Sequence, residues 1–122
     1  MTPSQIITKD TQRRGNDADV MLRKINKLVQ NKAGILLQQN DTVLLLISIA
    51  KDAAELHLFT TDAPLSLTKA MKVFWKKIES SDLKRVYTDI TNPQVLEMAK
   101  RTGWNIQKSN MPTYNAMAVV KG

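Results

Sequence analysis

Few residues in this sequence have side chains that commonly perform catalysis or bind metals. The chain has 122 residues with one histidine, His57, and no cysteine. The lack of cysteine excludes disulfides, thiolate catalysis and zinc–thiolate sites. A metal site would need carboxylates, and no carboxylate cluster has the spacing of metal ligands. The sequence therefore predicts neither a metal centre nor a cysteine nucleophile.

An excess of basic residues is the second feature that bears on function. The 18 lysines and arginines outnumber the 11 aspartates and glutamates, so the formal net charge is +7. Such a balance favours contact with nucleic acid or with an acidic protein surface, and does not select between them. The basic residues are scattered and no nucleic-acid-binding motif accompanies them. The candidate interaction residues are Lys9, Arg13, Arg14, Lys69, Lys72 and Lys76.

The spacing of apolar residues indicates the elements that must position these side chains. Ser4–Thr8 is predicted to be a short strand, and the polar residues that follow, to Asn16, a loop. Asn16 or Asp17 is expected to cap a helix. Its core-facing stripe comprises Met21, Ile25, Leu28 and Val29. Because the stretch before Asn16 has little means of ordering itself, we expect a partner chain to hold residues 1–16.

Three strands and a second helix are predicted next. The strands are Ile35–Gln38, Thr42–Ala50 and Ala54–Thr61, joined by short polar turns. The middle strand is apolar on both faces, which is typical of an interior strand. The helix is expected over Ser66–Ser80, and its buried stripe comprises Leu67, Met71, Phe74 and Ile78.

The C-terminal third is predicted to hold a strand, a helix and two further strands. The strand is Val86–Ile90, and the helix begins after a Thr91 or Asn92 cap with Pro93 at its first position. Gly103 is expected to end this helix. The last strands are Trp104–Lys108 and Tyr114–Val120. The chain is thus predicted to be one α/β domain over residues 1–122, in which helices flank a single mixed sheet in the order β-α-β-β-β-α-β-α-β-β.

This order, without a second helix before the second strand, resembles the GNAT (GCN5-related N-acetyltransferase) superfamily. The sharper likeness is to the family pattern N-x-x-A-x-x-L-Y-x-K-x-G-F around its last helix. The sequence matches that pattern in register, without a gap, at its asparagine, its basic residue, its glycine and its aromatic residue. The seven positions are Asn92, Val95, Met98, Ala99, Arg101, Gly103 and Trp104.

The sequence departs from the family in the loop that binds the cofactor. GNAT enzymes hold the pyrophosphate of acetyl-CoA with a Q/R-x-x-G-x-G/A loop, whose glycines let backbone N–H groups approach the phosphates. Here the equivalent connection, Thr60–Thr68, contains neither glycine nor arginine. Asp62 would repel a phosphate, and Pro64 lacks an N–H donor. Any residual cofactor contact would involve Asn92 and the degenerate loop, with Asp62, Ala63, Pro64, Ser66 and Thr68.

A second departure concerns the catalytic residues. Many members have a tyrosine general acid at the position of Ala99, which has no proton to give. His57 or Glu55, on a strand that often supplies a base in this family, could deprotonate an amine, but both are interpreted as partly exposed strand residues. Tyr87 and Tyr114 are interpreted as isolated packing residues. The resemblance thus predicts the fold without a bound cofactor or catalytic residues.

A narrower resemblance is to small GNAT-like proteins of tailed podophages, including one grouped with internal virion proteins. The shared features are a Thr61-Asp62 step, a lysine-rich helix, and an Asn-led last helix ending in glycine. The short C-terminal segment Val119–Gly122 is also similar to theirs.

No segment has the about 18–20 apolar residues of a membrane span, and the N-terminus lacks the apolar stretch of a signal peptide. We therefore expect a chain of the host-cell cytoplasm or the virion. The leading hypothesis is a non-catalytic bacteriophage protein that contacts capsid, portal, core or tail proteins. The alternatives are an acetyl-CoA-dependent N-acetyltransferase with an atypical cofactor loop, and a basic protein associated with nucleic acid.

Overall fold

Two helices precede the six strands of one sheet, and two further helices connect strands of that sheet along the chain. A computed structural model describes residues 1–121, and Gly122, the end of the C-terminal segment noted above, lies outside the described residues. The elements in chain order are α1 (Pro3–Arg13), α2 (Ala18–Gln30), β1 (Gly34–Gln39), β2 (Thr42–Ala50), β3 (Ala53–Thr60), α3 (Pro64–Glu79), β4 (Arg85–Thr88), α4 (Pro93–Arg101), β5 (Ile106–Lys108) and β6 (Ala116–Val119).

The sheet is mixed, as the sequence predicts. Its strand order is β1-β2-β3-β4-β6-β5, so β2 is an interior strand. Strands β3 and β4 pair in parallel, and the other neighbouring pairs are antiparallel. The parallel register runs from the Ala53–Arg85 pair to the Leu56–Thr88 pair, whereas β3 continues to Thr60. The pairing between the two parallel strands therefore ends halfway along β3, and the strands separate beyond that point.

The N-terminal segment differs from the prediction. The strand predicted over Ser4–Thr8 was wrong, and so was the loop predicted to follow it, because Pro3–Arg13 forms α1. Thr2 caps this helix: its hydroxyl accepts from the Gln5 N–H at 3.2 Å, and the Gln5 side chain accepts from the Thr2 N–H at 2.9 Å. This reciprocal capping box satisfies backbone donors that a helix start would otherwise leave open. The segment packs against the sheet of its own chain.

Each face of the sheet has its own apolar core. On one face, α3 and α4 cover the sheet, and Phe74, Ile78 and Val86 are almost fully buried. On the other face, α1 and α2 cover β1 to β3 around Ile6, Ile7 and other apolar residues. Burying one such side chain contributes about 1.5–3 kcal/mol. Because α1 supplies the two isoleucines, it is an integral part of the second core.

The predicted helix ends agree with the structure in most details. Asp17 caps α2, and Asn92 caps α4 through its side-chain oxygen, which accepts from the Gln94 N–H. Gly103 follows α4 with a φ of +102°, a conformation that favours glycine. Helix α3 begins at Pro64, two residues before the predicted start. Among the helices of residues 1–121, none has both the length and the apolar character that crossing a bilayer requires.

Candidate active site

A cleft opens where β3 continues beyond its pairing with β4. Its volume is about 540 Å³. One wall is the C-terminal half of β3, and the opposite wall is the segment that leaves β4 and enters α4. The starts of α3 and α4 and the end of α1 surround its mouth. The residues lining it include Arg13, Arg14, Leu58, Thr60, Asp62, Pro64, Asp89, Asn92 and Met98.

Two arginines from the end of α1 lie at the mouth of the cleft. The Arg13 Nη2 donates to the Asp10 Oδ1 at 2.6 Å, and the Arg14 Nε lies 3.0 Å from the Asp10 Oδ2. Arg14 also donates through Nη2 to the Leu58 carbonyl on β3, at 3.4 Å. These contacts anchor both cations beside the cleft although their side chains are largely exposed.

The connection from β3 to α3 is held by hydrogen bonds to the β1–β2 turn and to the start of β2. The Asp62 Oδ2 accepts from the Asp41 N–H at 3.0 Å and from the Thr42 hydroxyl at 2.7 Å, so two donors compensate this carboxylate. The Thr68 hydroxyl donates to the Pro64 carbonyl, and the Ser66 carbonyl accepts from a side chain of the β1–β2 turn.

At the N-cap of α3, Ala63 offers no side-chain hydrogen bond to the first turn. The N–H groups of this turn and the positive end of the helix dipole are thus left available to an anion.

A smaller recess of about 160 Å³ adjoins the cleft, between α1 and β3. It shares Arg14, Leu58, Asp89 and Ile90 with the cleft and is also lined by Thr11, Asn16 and His57. Thr11 is buried, and its hydroxyl has no hydrogen-bond partner among the residues that the structure describes. The lining of the recess thus combines polar side chains, including Arg14 and His57, with apolar ones.

His57 belongs to a hydrogen-bonded network on the α1–α2 face of the sheet. Its Nε2 lies 2.5 Å from the Glu55 Oε2, and the Tyr114 hydroxyl donates to the Glu55 Oε1 at 2.7 Å. Tyr114 packs against Tyr87 with ring centroids 5.3 Å apart, and the Tyr87 hydroxyl donates to the Asn110 Oδ1. The sequence suggested two isolated tyrosines, but they are in contact with each other. Tyr114 donates to the Glu55 carboxylate next to His57, and Tyr87 packs against Tyr114.

Two pKa shifts follow from this network. Partial burial acts to raise the pKa of Glu55, but the hydrogen bonds from Tyr114 and His57 outweigh it, so the pKa lies below its ordinary value. The hydrogen bond to Glu55, together with burial, raises the pKa of Tyr114 to about 12. Glu55 is therefore an anion at neutral pH, and Tyr114 is a neutral donor to it.

The arrangement provides an imidazole that can take up a proton. When Nε2–H donates to Glu55, Nδ1 carries the free lone pair, and Nδ1 has no hydrogen bond within residues 1–121. The hydrogen bond to the adjacent carboxylate fixes the orientation of the ring. A histidine that lines a recess and is held by a carboxylate has the geometry of a general base.

The structure brings some of the candidate residues together and separates others. Arg13 and Arg14 share the cleft with Asp62, Pro64 and Asn92. Lys9 lies on the exposed side of α1. The candidates Lys69, Lys72 and Lys76 lie on the exposed side of α3. Ala99 is the residue of α4 that is buried in the core. Within residues 1–121, no three metal-binding side chains lie close enough together to hold a metal ion.

Sequence reasoning overlooked Asp10, Thr11 and Asp89. Asp10 and Thr11 were assigned to a loop, and a capping box at Thr2 was the signal that could have revealed their helix. Asp89 carries no local signal, because only the parting of β3 and β4 places it between the cleft and the recess.

No protein-family model matches the sequence, and no curated protein matches it significantly. Several solved structures resemble the chain. The N-acetyltransferase PseH of Campylobacter jejuni, in complex with acetyl coenzyme A, aligns with a TM-score of 0.60 and 14% identity over 99% of this chain and 92% of its own. Tetrahymena GCN5 aligns with a TM-score of 0.60 and 14% identity over 95% and 82% of the two chains. Spermidine N-acetyltransferase from Vibrio cholerae, in complex with CoA and spermine, aligns with a TM-score of 0.53 and 15% identity over 84% and 73%.

These likenesses confirm the GNAT-like fold and correct two conclusions. The leading hypothesis, a non-catalytic bacteriophage assembly protein, is wrong, because the structures that resemble the chain include acetyltransferases and none supports a phage role. The missing element was also misidentified. Within residues 1–121 two helices, α1 and α2, precede β1, where the sequence predicts a strand and one helix.

Proposed function

We propose that the chain is an acetyl-CoA-dependent N-acetyltransferase with an atypical cofactor site. The observation that carries this proposal is the cleft where β3 continues past β4, next to a recess that is lined by His57, whose imidazole is hydrogen-bonded to Glu55. The GNAT-like fold and the complex of PseH with acetyl coenzyme A support it.

The cleft has features that fit a thioester carrying a diphosphate. Its volume of about 540 Å³ suits an extended ligand. Arg13 and Arg14 supply positive charge, and Pro64 at the uncapped start of α3 lines the cleft, so the positive end of that helix dipole lies beside it. Asp62 keeps its negative charge, but its Oδ2 is engaged by two hydrogen bonds within the protein. These residues would hold acetyl-CoA, which supplies the acetyl group as a thioester.

His57 performs the proton transfer in the proposed reaction. The amine nitrogen bonds to the acetyl carbon, the carbon–sulfur bond breaks with its electron pair on sulfur, and His57 takes the proton that the nitrogen loses. Glu55 holds the ring through the hydrogen bond to Nε2. Ala99 supplies no acid to the leaving group, and such an acid contributes about 10²- to 10⁴-fold to a rate. We therefore expect a slow enzyme.

A direct test measures acetylation of a panel of primary amines with acetyl-CoA. Free thiol would report the rate, and mass spectrometry would identify the acetylated amine. His57→Gln should lower the rate by about 10²- to 10⁴-fold while calorimetric CoA binding stays unchanged. Gln107→Ala, an exposed β5 residue outside the cleft and the recess, serves as the control. The proposal fails if CoA does not bind and no amine is acetylated.

A second candidate function is binding of a polyanion such as nucleic acid. Lys69, Lys72 and Lys76 are exposed on one side of α3, and none of them forms an ion pair within the described part of the chain. Such a row of cations can neutralise successive phosphates. Retention on DNA that falls steeply with salt in the native protein, and is lost in the Lys→Glu triple variant, would support it. Retention equal in both proteins would exclude this surface.

A further inference from the structure

Asp10 is a buried carboxylate that the chemistry of His57 does not use. Its side chain is 0% exposed. It accepts from Arg13 and, at 3.4 Å, from the Thr60 N–H, and it forms an ion pair with Arg14. Burying an ionised carboxylate is costly unless charged partners compensate it. Both arginines are therefore held where α1 meets β3.

The anchored arginines keep donors for a ligand. A guanidinium has five N–H donors; the contacts in the structure use one nitrogen of Arg13 and two of Arg14. Their side chains are 64% and 55% exposed, and both line the cleft. Two guanidiniums held by the same carboxylate can engage the several oxygens of a diphosphate.

The remaining charges of the cleft determine how strongly an anion is attracted. The carboxylate of Asp62 accepts hydrogen bonds from the Asp41 N–H and the Thr42 hydroxyl. The carboxylate of Asp10 is paired with the two arginines. Asp89 is exposed, and its negative charge repels an anion in the cleft from the side of the recess. The uncapped start of α3 acts in favour, since the positive end of its dipole lies at the mouth of the cleft.

We propose that Arg13 and Arg14, held by Asp10, form the binding site for the diphosphate of the acyl donor. This site takes the place of the glycine-containing loop that the connection between β3 and α3 lacks. The inference rests on the proposed acetyltransferase function for the identity of the donor. The arginines themselves indicate a ligand with several anionic oxygens, and the diphosphate of the donor is the group of that class that the proposed function supplies.

Calorimetry with CoA and with inorganic pyrophosphate tests the site directly. The Arg13→Gln/Arg14→Gln variant should bind CoA about 10- to 100-fold more weakly and should show no pyrophosphate binding. Arg23→Gln/Lys24→Gln, which removes the same charge from the exposed side of α2, should bind both ligands as the native protein does. Asp89→Asn should bind both more tightly. If the arginine pair proves necessary for folding, Arg13→Gln alone should weaken CoA binding several-fold.

A donor without the diphosphate separates this inference from the proposed function. S-acetylpantetheine carries the thioester but no diphosphate, so its turnover should be equal in the native protein and the arginine variant. Native affinities in the arginine variant, or an equal loss with both donors, would overturn the site. If neither donor is turned over, the acetyltransferase function fails, whereas arginine-dependent pyrophosphate binding would still support the anion site.

Discussion

Replacing Tyr114 with phenylalanine tests the network that holds His57. The substitution removes the hydroxyl that donates to the Glu55 Oε1 at 2.7 Å and leaves the ring packed against Tyr87. A hydrogen bond to a buried charge contributes about 1.5–3 kcal/mol, and partial exposure reduces this value. The Glu55 side chain is 24% exposed and Tyr114 is half-buried, so we expect a loss of about 1 kcal/mol. For a chain of 122 residues this lowers the melting temperature by about 3–5 °C.

The cost of this substitution should depend on pH. Because the pKa of Glu55 is lowered on folding, the network stabilises the protein above the ordinary carboxyl pKa, and the stabilisation is lost as the pH falls through the folded value. The pKa of Tyr114 is raised to about 12, so its contribution is present below the ordinary tyrosine pKa and is lost as the pH rises through about 12. The cost of Tyr114→Phe should therefore be full at pH 7 and smaller at pH 3.

Urea denaturation at both pH values measures this difference. Tyr87→Phe is the matched control, since its hydroxyl donates to the neutral Asn110 side chain at 2.9 Å and its cost should not change with pH. Equal costs of Tyr114→Phe at pH 7 and pH 3, or no cost at either, would refute the reasoning.

Three further substitutions probe the base, the second core and the end of α4. Glu55→Gln should lower the acetylation rate by about 10²-fold without weakening CoA binding; an unchanged rate would show that the carboxylate does not support His57. Ile6→Ala should cost about 2–5 kcal/mol in urea denaturation, against less than about 0.5 kcal/mol for the exposed Leu65→Ala; similar costs would show that α1 is not part of the core. Gly103→Ala should cost about 1–2 kcal/mol because of the positive φ, and a neutral effect in thermal melts would contradict that strain.

The N-terminal helix shows where local reasoning misled. Ile6 and Ile7 are β-branched and favour a strand on propensity alone. The reciprocal pair of Thr2 and Gln5, with Pro3 at the first helical position, favours a helix start. The helix forms because it buries both isoleucines against β2 and β3, which a propensity scale does not include. Tertiary burial decided between two conflicting local signals.

The candidate site was harder to predict than the elements. Tyr114 lies 59 residues from Glu55 along the chain, and only the β4–β6 pairing brings its segment next to β3. Arg13 and Arg14 were recognised as cations, but their place at the cleft depends on the burial of Asp10. Asp62 was recognised as an acid in the loop, but its partners on the β1–β2 side could not be known.

The sequence by itself determined the α/β class, the mixed sheet, three of the four helices, the end of α4 at Gly103, and the N-caps of α2 and α4 to one of two neighbouring residues each. These features depend on the period of apolar residues and on hydrogen bonds or φ values confined to a few neighbouring residues. Only the tertiary structure decided that β3 continues beyond its pairing with β4 and that two arginines border the resulting cleft. It also decided that His57 is hydrogen-bonded to Glu55, which in turn accepts a hydrogen bond from Tyr114. Such features arise from contacts between distant segments, and their free energy depends on burial, which no local pattern contains.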